Sequence, residues 1–153
     1  MGNALQKIRS IADYQFGKNV GKLLFPKEVD LSYSKRTGKI RYIYLQKERL
    51  ATLRPTDGLF SLSINGAKRI VENTPFAECF VTVKNSVSKF VADGGDVFAV
   101  HVVKVNEEIR PKDEVIIIDE KNEVLAVGKA LLSSFEMKAF MSGVAVKVRH
   151  GLT

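Results

Sequence analysis

The residues of this chain best suited to chemistry are clustered cations, two histidines and one pair of carboxylates. Lys35, Arg36, Lys39 and Arg41 fall within the run Lys35-Arg36-Thr37-Gly38-Lys39-Ile40-Arg41. Such a run reads as a β-turn, which carries long side chains away from a sheet to where they can grip a backbone phosphate. An ordinary exposed hairpin tip has the same composition. Lys147 and Arg149 alternate along the closing segment and would share one face of a strand. Lys18 and Lys22 around a Gly-Lys-Asn-Val-Gly loop, and Lys68-Arg69 on a short helix, are weaker signals of the same kind. Tyr42 and Tyr44 have rings that can stack on unpaired bases, although packing within a sheet is their commoner task.

The remaining candidates do not assemble a catalytic set. His101 and His150 are the only histidines, and no carboxylates stand at a spacing that would complete a metal site with them. His101, between Val100 and Val102, reads as a half-buried strand histidine. Cys79 beside Phe80 reads as a buried, inert thiol. Asp93 and Asp96 flank Gly94-Gly95, and could serve as acid and base only if their surroundings split their pKa values; otherwise they form a solvated turn. Gly94-Gly95-Asp96 lacks the Lys-Ser/Thr of a phosphate-binding loop. The expectation is a protein without metal or cofactor that is not an enzyme on its own.

Composition narrows the class. At 153 residues, 45% hydrophobic and 27% charged, the chain makes one ordinary domain or two small ones. A single cysteine excludes an intrachain disulfide and fits a reducing, cytoplasmic setting. No run approaches the roughly 18 apolar residues of a membrane span. Lys7, Arg9 and Asp13 interrupt the apolar positions of the N-terminal segment, so a secretory signal is not expected. Gln6 stands where a myristoylated chain has Ser or Thr. The net charge is +7, unevenly spread: residues 1–76 carry fourteen basic and six acidic side chains, residues 77–153 ten and eleven. A basic first half points to a polyanion, most commonly nucleic acid, or to a solubilising surface.

These residues need elements to hold them. Asn3 can cap a helix whose apolar stripe is Leu5, Ile8, Ile11 and Ala12, with Gly17 as its stop. A helical turn over Val20–Phe25 ends at Pro26. Alternation then gives strands at 29–33, Ile40–Tyr44, Arg49–Leu53 and Leu59–Ile64, an antiparallel meander closed by a helix over Gly66–Glu72. Asn73-Thr74-Pro75 breaks the pattern, which places a domain boundary between 1–76 and 77–153. In the second half Phe80–Lys84 is a strand. A helix capped by Asn85 or Ser86 carries Val87, Phe90 and Val91 and stops at Gly94-Gly95. Val97–Val105 is strand-like, and Glu114–Asp119 with Val124–Leu132 forms a hairpin. Ser133 and Glu136 make a capping box for a helix to about Met141, and Val144–Arg149 is a last strand. The class is α+β: a small N-terminal α/β-meander domain, then a pseudo-barrel of short strands with two short helices.

Over Phe80–Gly151 the chain resembles a PUA domain, the RNA-binding module named for pseudouridine synthases and archaeosine transglycosylases. The resemblance is carried by Ser88-Lys89-Phe90-Val91-Ala92-Asp93-Gly94-Gly95-Asp96-Val97, by Asn106–Val115, by Leu125–Ala130 and by Gly143–Gly151. Where that family usually has Pro-Gly-Val, this chain has Val100-His101-Val102. The first half resembles the small domain preceding PUA in archaeal tRNA-guanine (archaeosine) transglycosylases. Ile11–Gly17, Ser34–Arg41 and Leu53–Phe60 carry that match. The catalytic barrel of that family has no counterpart here.

The resemblance implies binding of tRNA or another structured RNA without chemistry. Its RNA face carries over to Lys84, Ser88, Lys89, Phe90, Gly94, Gly95, Asp96, Lys147 and Arg149, with Lys35, Arg36, Lys39 and Arg41 adding attraction from the first half. The implied role is to present the acceptor-stem region of tRNA, by shape and backbone contacts, to a separate catalytic transglycosylase subunit. The alternatives are a free-standing factor binding rRNA or tRNA in RNA processing or ribosome assembly, and a small enzyme using Asp93 or Asp96.

Overall fold

A computed structural model describes residues 2–153 and divides into two units, the first ending at Ala77 and the second beginning at Glu78. The first unit contains α1 (Gly2–Phe16), α2 (Val20–Leu24), β1 (Asp30–Tyr33), β2 (Ile40–Leu45), β3 (Glu48–Leu53), β4 (Phe60–Leu62) and α3 (Ile64–Asn73). Its four strands pair antiparallel in chain order, the meander that alternation predicts. Ile8, Ala12 and Phe16 form the buried stripe of α1, and Phe25 packs on Phe60 with ring centroids 5.2 Å apart. Helix α1 is already helical at Gly2, so Asn3 lies in its first turn rather than capping it. The first turn has unpaired N–H groups wherever it starts, and the residue type alone does not fix the boundary.

Three polar side chains fix α1 in place. Arg9 Nε donates to the Phe25 carbonyl at 2.8 Å, and Asp13 Oδ1 accepts the Gly21 N–H at 2.7 Å. Gln15 accepts the Phe60 N–H at 2.7 Å and donates back to the Phe60 carbonyl at 2.8 Å. Strand β4 is an edge strand, and the Gln15 amide satisfies backbone groups that a neighbouring strand would otherwise take. Helix α3 begins earlier than its apolar spacing indicates, because Ser63 Oγ accepts the Gly66 N–H at 3.1 Å and caps it.

The second unit contains β5 (Phe80–Val83), α4 (Ser88–Ala92), β6 (Val97–Phe98), β7 (Val102–Val105), β8 (Glu114–Ile118), β9 (Val124–Ala130), α5 (Ser134–Ala139) and β10 (Val144–Gly151). Tight 3-10 turns occupy Asn85–Val87 and Ala99–His101. The sheet order is β6-β10-β9-β8-β5-β7. The continuous strand expected over Val97–Val105 is therefore two strands on opposite edges of the sheet. A flat six-stranded sheet would hold its edges about 24 Å apart. The few residues joining Phe98 to Val102 reach about 14 Å. The sheet must curl until its edges approach, which makes the nearly closed pseudo-barrel. His101 accordingly lies in the corner turn rather than in a strand, half-buried and edge-on to Phe98 at 6.0 Å.

Val81, Val83, Val91, Ile109, Val115, Ile117, Met137 and Val146 fill the core of this unit. The capping box at α5 is present as read: Ser133 Oγ accepts the Glu136 N–H at 3.1 Å, and Glu136 Oε1 accepts the Ser133 N–H at 2.8 Å.

Candidate nucleic-acid interface

Lys35, Arg36 and Lys39 stand exposed at the tip of the β1–β2 hairpin. The Gly38 N–H donates to the Ser34 carbonyl and the Ser34 N–H to the Lys39 carbonyl, both at 2.8 Å, so the turn holding these cations is a defined one. Arg41 is half-buried, with its guanidinium 5.8 Å from the centroid of the Tyr42 ring. None of the four forms an ion pair among the described residues. Tyr42 and Tyr44 pack on each other at 6.3 Å, the sheet-packing task. Arg69 is drawn away from the surface, donating to the Leu24 carbonyl at 3.2 Å and the Leu23 carbonyl at 2.6 Å. Sequence reading missed Lys7 and Arg54, which the fold brings beside Lys39 and Arg41. The only available signal was the four-residue spacing of Lys7 and Ile11, which puts both on one face of α1.

In the second unit, α4, the loop after it and β10 meet. Gly94 has φ of +105°, which L side chains rarely adopt, and lets its N–H reach the Val91 carbonyl at 2.9 Å. The neighbouring Gly95 N–H donates to the Phe90 carbonyl at 2.9 Å. A Cβ on Gly95 would lie 2.3 Å from the Phe90 ring, so only glycine lets that ring, 54% exposed, fold back over the loop. Asp96 accepts the Val148 N–H at 2.9 Å and stands 3.5 Å from Lys147 Nζ. These contacts gather Phe90, Gly94, Gly95, Asp96 and Lys147 in one area. Ser88 begins α4, half-buried. Lys89 is exposed and pairs with Asp93 at 2.9 Å. Lys84 is exposed before the first 3-10 turn, its N–H donating to the His101 carbonyl at 3.0 Å. Arg149 shares the face of Lys147, but its guanidinium is engaged by the buried Glu114.

The carboxylates of this area have structural partners of their own. Asp93 accepts the Thr153 hydroxyl at 2.5 Å, and that bond, with the Lys89 ammonium, holds its carboxyl below the usual carboxylate range. Burial pushes the Cys79 thiol well up, and the Glu114 and Glu78 charges add to the effect. Among the described residues no three His, Cys, Asp or Glu side chains gather as a metal site. No described helix is long and apolar enough to cross a membrane. Val100, Phe135 and Met141, on and beside α5 and the corner turn, are exposed apolar side chains that no sequence pattern singled out.

Residues 6–77 match the patch-forming domain C2 of tRNA-guanine transglycosylase, and residues 80–152 match the PUA domain. The chain is 43% identical over 148 residues to a tRNA-guanine(15) transglycosylase of Methanobrevibacter smithii, covering 97% of this chain and 22% of that one. It spans about a quarter of the length of the curated relatives it matches. The fold is shared with a hypothetical protein of Pyrococcus horikoshii, with a TM-score of 0.78 at 22% identity over 99% of this chain and 91% of that one. A conserved PUA domain protein of Thermoplasma acidophilum gives a TM-score of 0.70 at 18% identity, over 98% and 89%. Two modules matched in order over nearly the whole chain, with this degree of identity, show that this chain carries a transglycosylase patch-forming C2 domain followed by a PUA domain, and belongs with the C-terminal part of the archaeal tRNA-guanine(15) transglycosylases.

Proposed function

We propose that the protein binds tRNA, at the acceptor-stem region, and serves as the RNA-holding part of a tRNA-modifying assembly whose catalytic transglycosylase subunit is a separate chain. The observation that carries this reading is the identity of 43% along 97% of the chain to a tRNA-guanine(15) transglycosylase. The physical chemistry agrees with it. Lys35, Arg36 and Lys39 are exposed on a defined turn, and cations without acidic partners are free to displace counterions from a phosphate backbone. The area of Phe90, Gly94, Gly95, Asp96 and Lys147 presents backbone beside an exposed ring and an ammonium. That suits a double-helical stem, recognised by its shape and phosphates rather than by its bases.

The test is binding of the purified chain to full-length tRNA and to an isolated acceptor-stem hairpin across a salt titration. A steep loss with salt, with the hairpin keeping most of the affinity, is the expected result. Failure to bind either RNA would sink the reading. Co-purification with a barrel-type transglycosylase subunit tests the second half of the proposal, and a chain that binds tRNA but recovers no such subunit would overturn that half alone.

A further inference from the structure

We infer that the first unit holds a pocket for one unpaired nucleotide, its phosphate among cations and its base against an apolar wall. This rests on the RNA-binding reading above and adds a site to it. A cavity of about 350 Å³ opens between α1, the β1–β2 hairpin and the turn that joins β3 to β4. Lys7, Lys39, Arg41 and Arg54 line it, and no acidic residue does. Arg54 is fixed by Asp57 at 2.9 Å and donates to the Ser61 hydroxyl at 3.3 Å. Lys7, Lys39 and Arg41 form no ion pair among the described residues. Three lining cations that form no ion pair among the described residues, beside an Arg54 whose charge Asp57 offsets, make a positive concavity, and its complement is an anion.

The rest of the lining says what the anion is attached to. Ile11, Ile40 and Leu53 supply apolar surface, each half-buried and so still reachable. Inorganic phosphate would leave that surface unused. A phosphate bearing a flat aromatic ring would lay the face of that ring on it, and the volume lies within the roughly 300–1,000 Å³ of small-ligand sites. Ser34 and Thr37 also line the cavity. Ser34 Oγ accepts the Thr37 N–H and Thr37 Oγ1 accepts the Lys39 N–H, both at 3.3 Å. Each hydroxyl therefore keeps its own proton to donate to a sugar or a base edge. A base within a duplex has both faces stacked and cannot enter, so the ligand is an unpaired nucleotide of an RNA, or the same chemistry as a free nucleotide.

The experiment uses the full chain, isotopically labelled, with amide shifts followed by NMR. The probes are the four nucleoside 5′-monophosphates, single-stranded tetranucleotides, a short RNA duplex and tRNA. Shifts at Lys7, Ile11, Lys39 and Arg54 with tetranucleotides are expected, and Ile11→Phe, which fills the cavity, should weaken them at least tenfold while changing duplex affinity less than twofold. Thr37→Phe, at an exposed position of the lining, adds bulk to the cavity without removing a cation and repeats the test should Ile11→Phe unfold. Retained tRNA binding with no such shifts and no effect of either variant would overturn the pocket and leave the RNA reading standing. Shifts with monophosphates alone, without binding of any RNA, would keep the pocket, assign it to a free nucleotide, and overturn the RNA reading. No response to any probe would overturn both.

Discussion

Arg149 forks onto Glu114, donating from Nη1 to Oε1 at 2.8 Å and from Nη2 to Oε2 at 2.5 Å. The Glu114 side chain has no solvent exposure and that of Arg149 is 33% exposed. The pair reaches from β10 past β9 to β8, because β9 lies between them in the sheet. A carboxylate removed from water is tolerated only with such a partner. The arginine that family resemblance places on the RNA face thus has a first task inside its own sheet.

Arg149→Ala should therefore lower stability by about 2–4 kcal/mol, somewhat under the ~3–5 kcal/mol of a fully buried pair. Arg149→Lys should recover only part, since an ammonium cannot fork. Lys147→Ala, an exposed residue 3.5 Å from Asp96, should cost less than about 1 kcal/mol. Denaturant unfolding of the three variants checks the ranking, and an Arg149→Ala protein as stable as the parent would contradict it.

Charge reversal at the hairpin should act on binding and not on folding. Lys35→Glu, Arg36→Glu and Lys39→Glu together remove exposed cations that hold nothing in place. The plot of log affinity for tRNA against log salt should flatten by roughly 0.7–0.9 for each phosphate that is no longer neutralised. The thermal midpoint should stay put. An unchanged slope would place the gripped phosphates elsewhere on the protein.

The two loop glycines should separate backbone strain from steric crowding. Gly94→Ala forces a side chain to φ of +105° and should cost about 1–2 kcal/mol. Gly95→Ala places a methyl against the Phe90 ring, which is half exposed and can swing out, so stability should fall by less than about 1 kcal/mol. Its signature is a change in the Phe90 ring resonances. Equal losses in the two variants would be evidence against this division.

Acid should loosen the C-terminal tie to α4. The Thr153 hydroxyl and then Lys89 lower the Asp93 pKa in the folded protein, while the unfolded value stays near ~3.9. A depressed folded pKa stabilises above the unfolded value, and the effect is lost as pH falls through the folded pKa. Carboxyl resonances should give Asp93 a midpoint below ~3.9, raised toward it by Thr153→Val. A wild-type midpoint at or above ~3.9 would refute the tie.

Local signals were legible where one residue's chemistry decides. The Ser133–Glu136 box, the stop at Gly17 and the order of the meander strands all depend on neighbours a few residues apart. What escaped depends on closure. The near-continuous apolar run Val97–Val105 reads the same whether the segment is one strand or two on opposite edges, because only the curl of the sheet breaks it. The engagement of Arg149 escaped for a related reason: period 2 gives its face, but Glu114 reaches that face only through a third strand. Gln15 escaped because an exposed-looking amide on a helix says nothing of the strand edge it will meet.

The sheet order of the second unit also sets a schedule. The meander of the first unit pairs each strand with the one just made, so it can form as the chain lengthens. In the second unit β6 has β10 as its only neighbour, and β5 must find β8 in parallel across the intervening turns. Closing such distant loops is slow. During synthesis the first unit can be complete while β6 still waits for Val144–Gly151 to leave the ribosome, and a chain stalled before that segment would expose the interior of its sheet to aggregation.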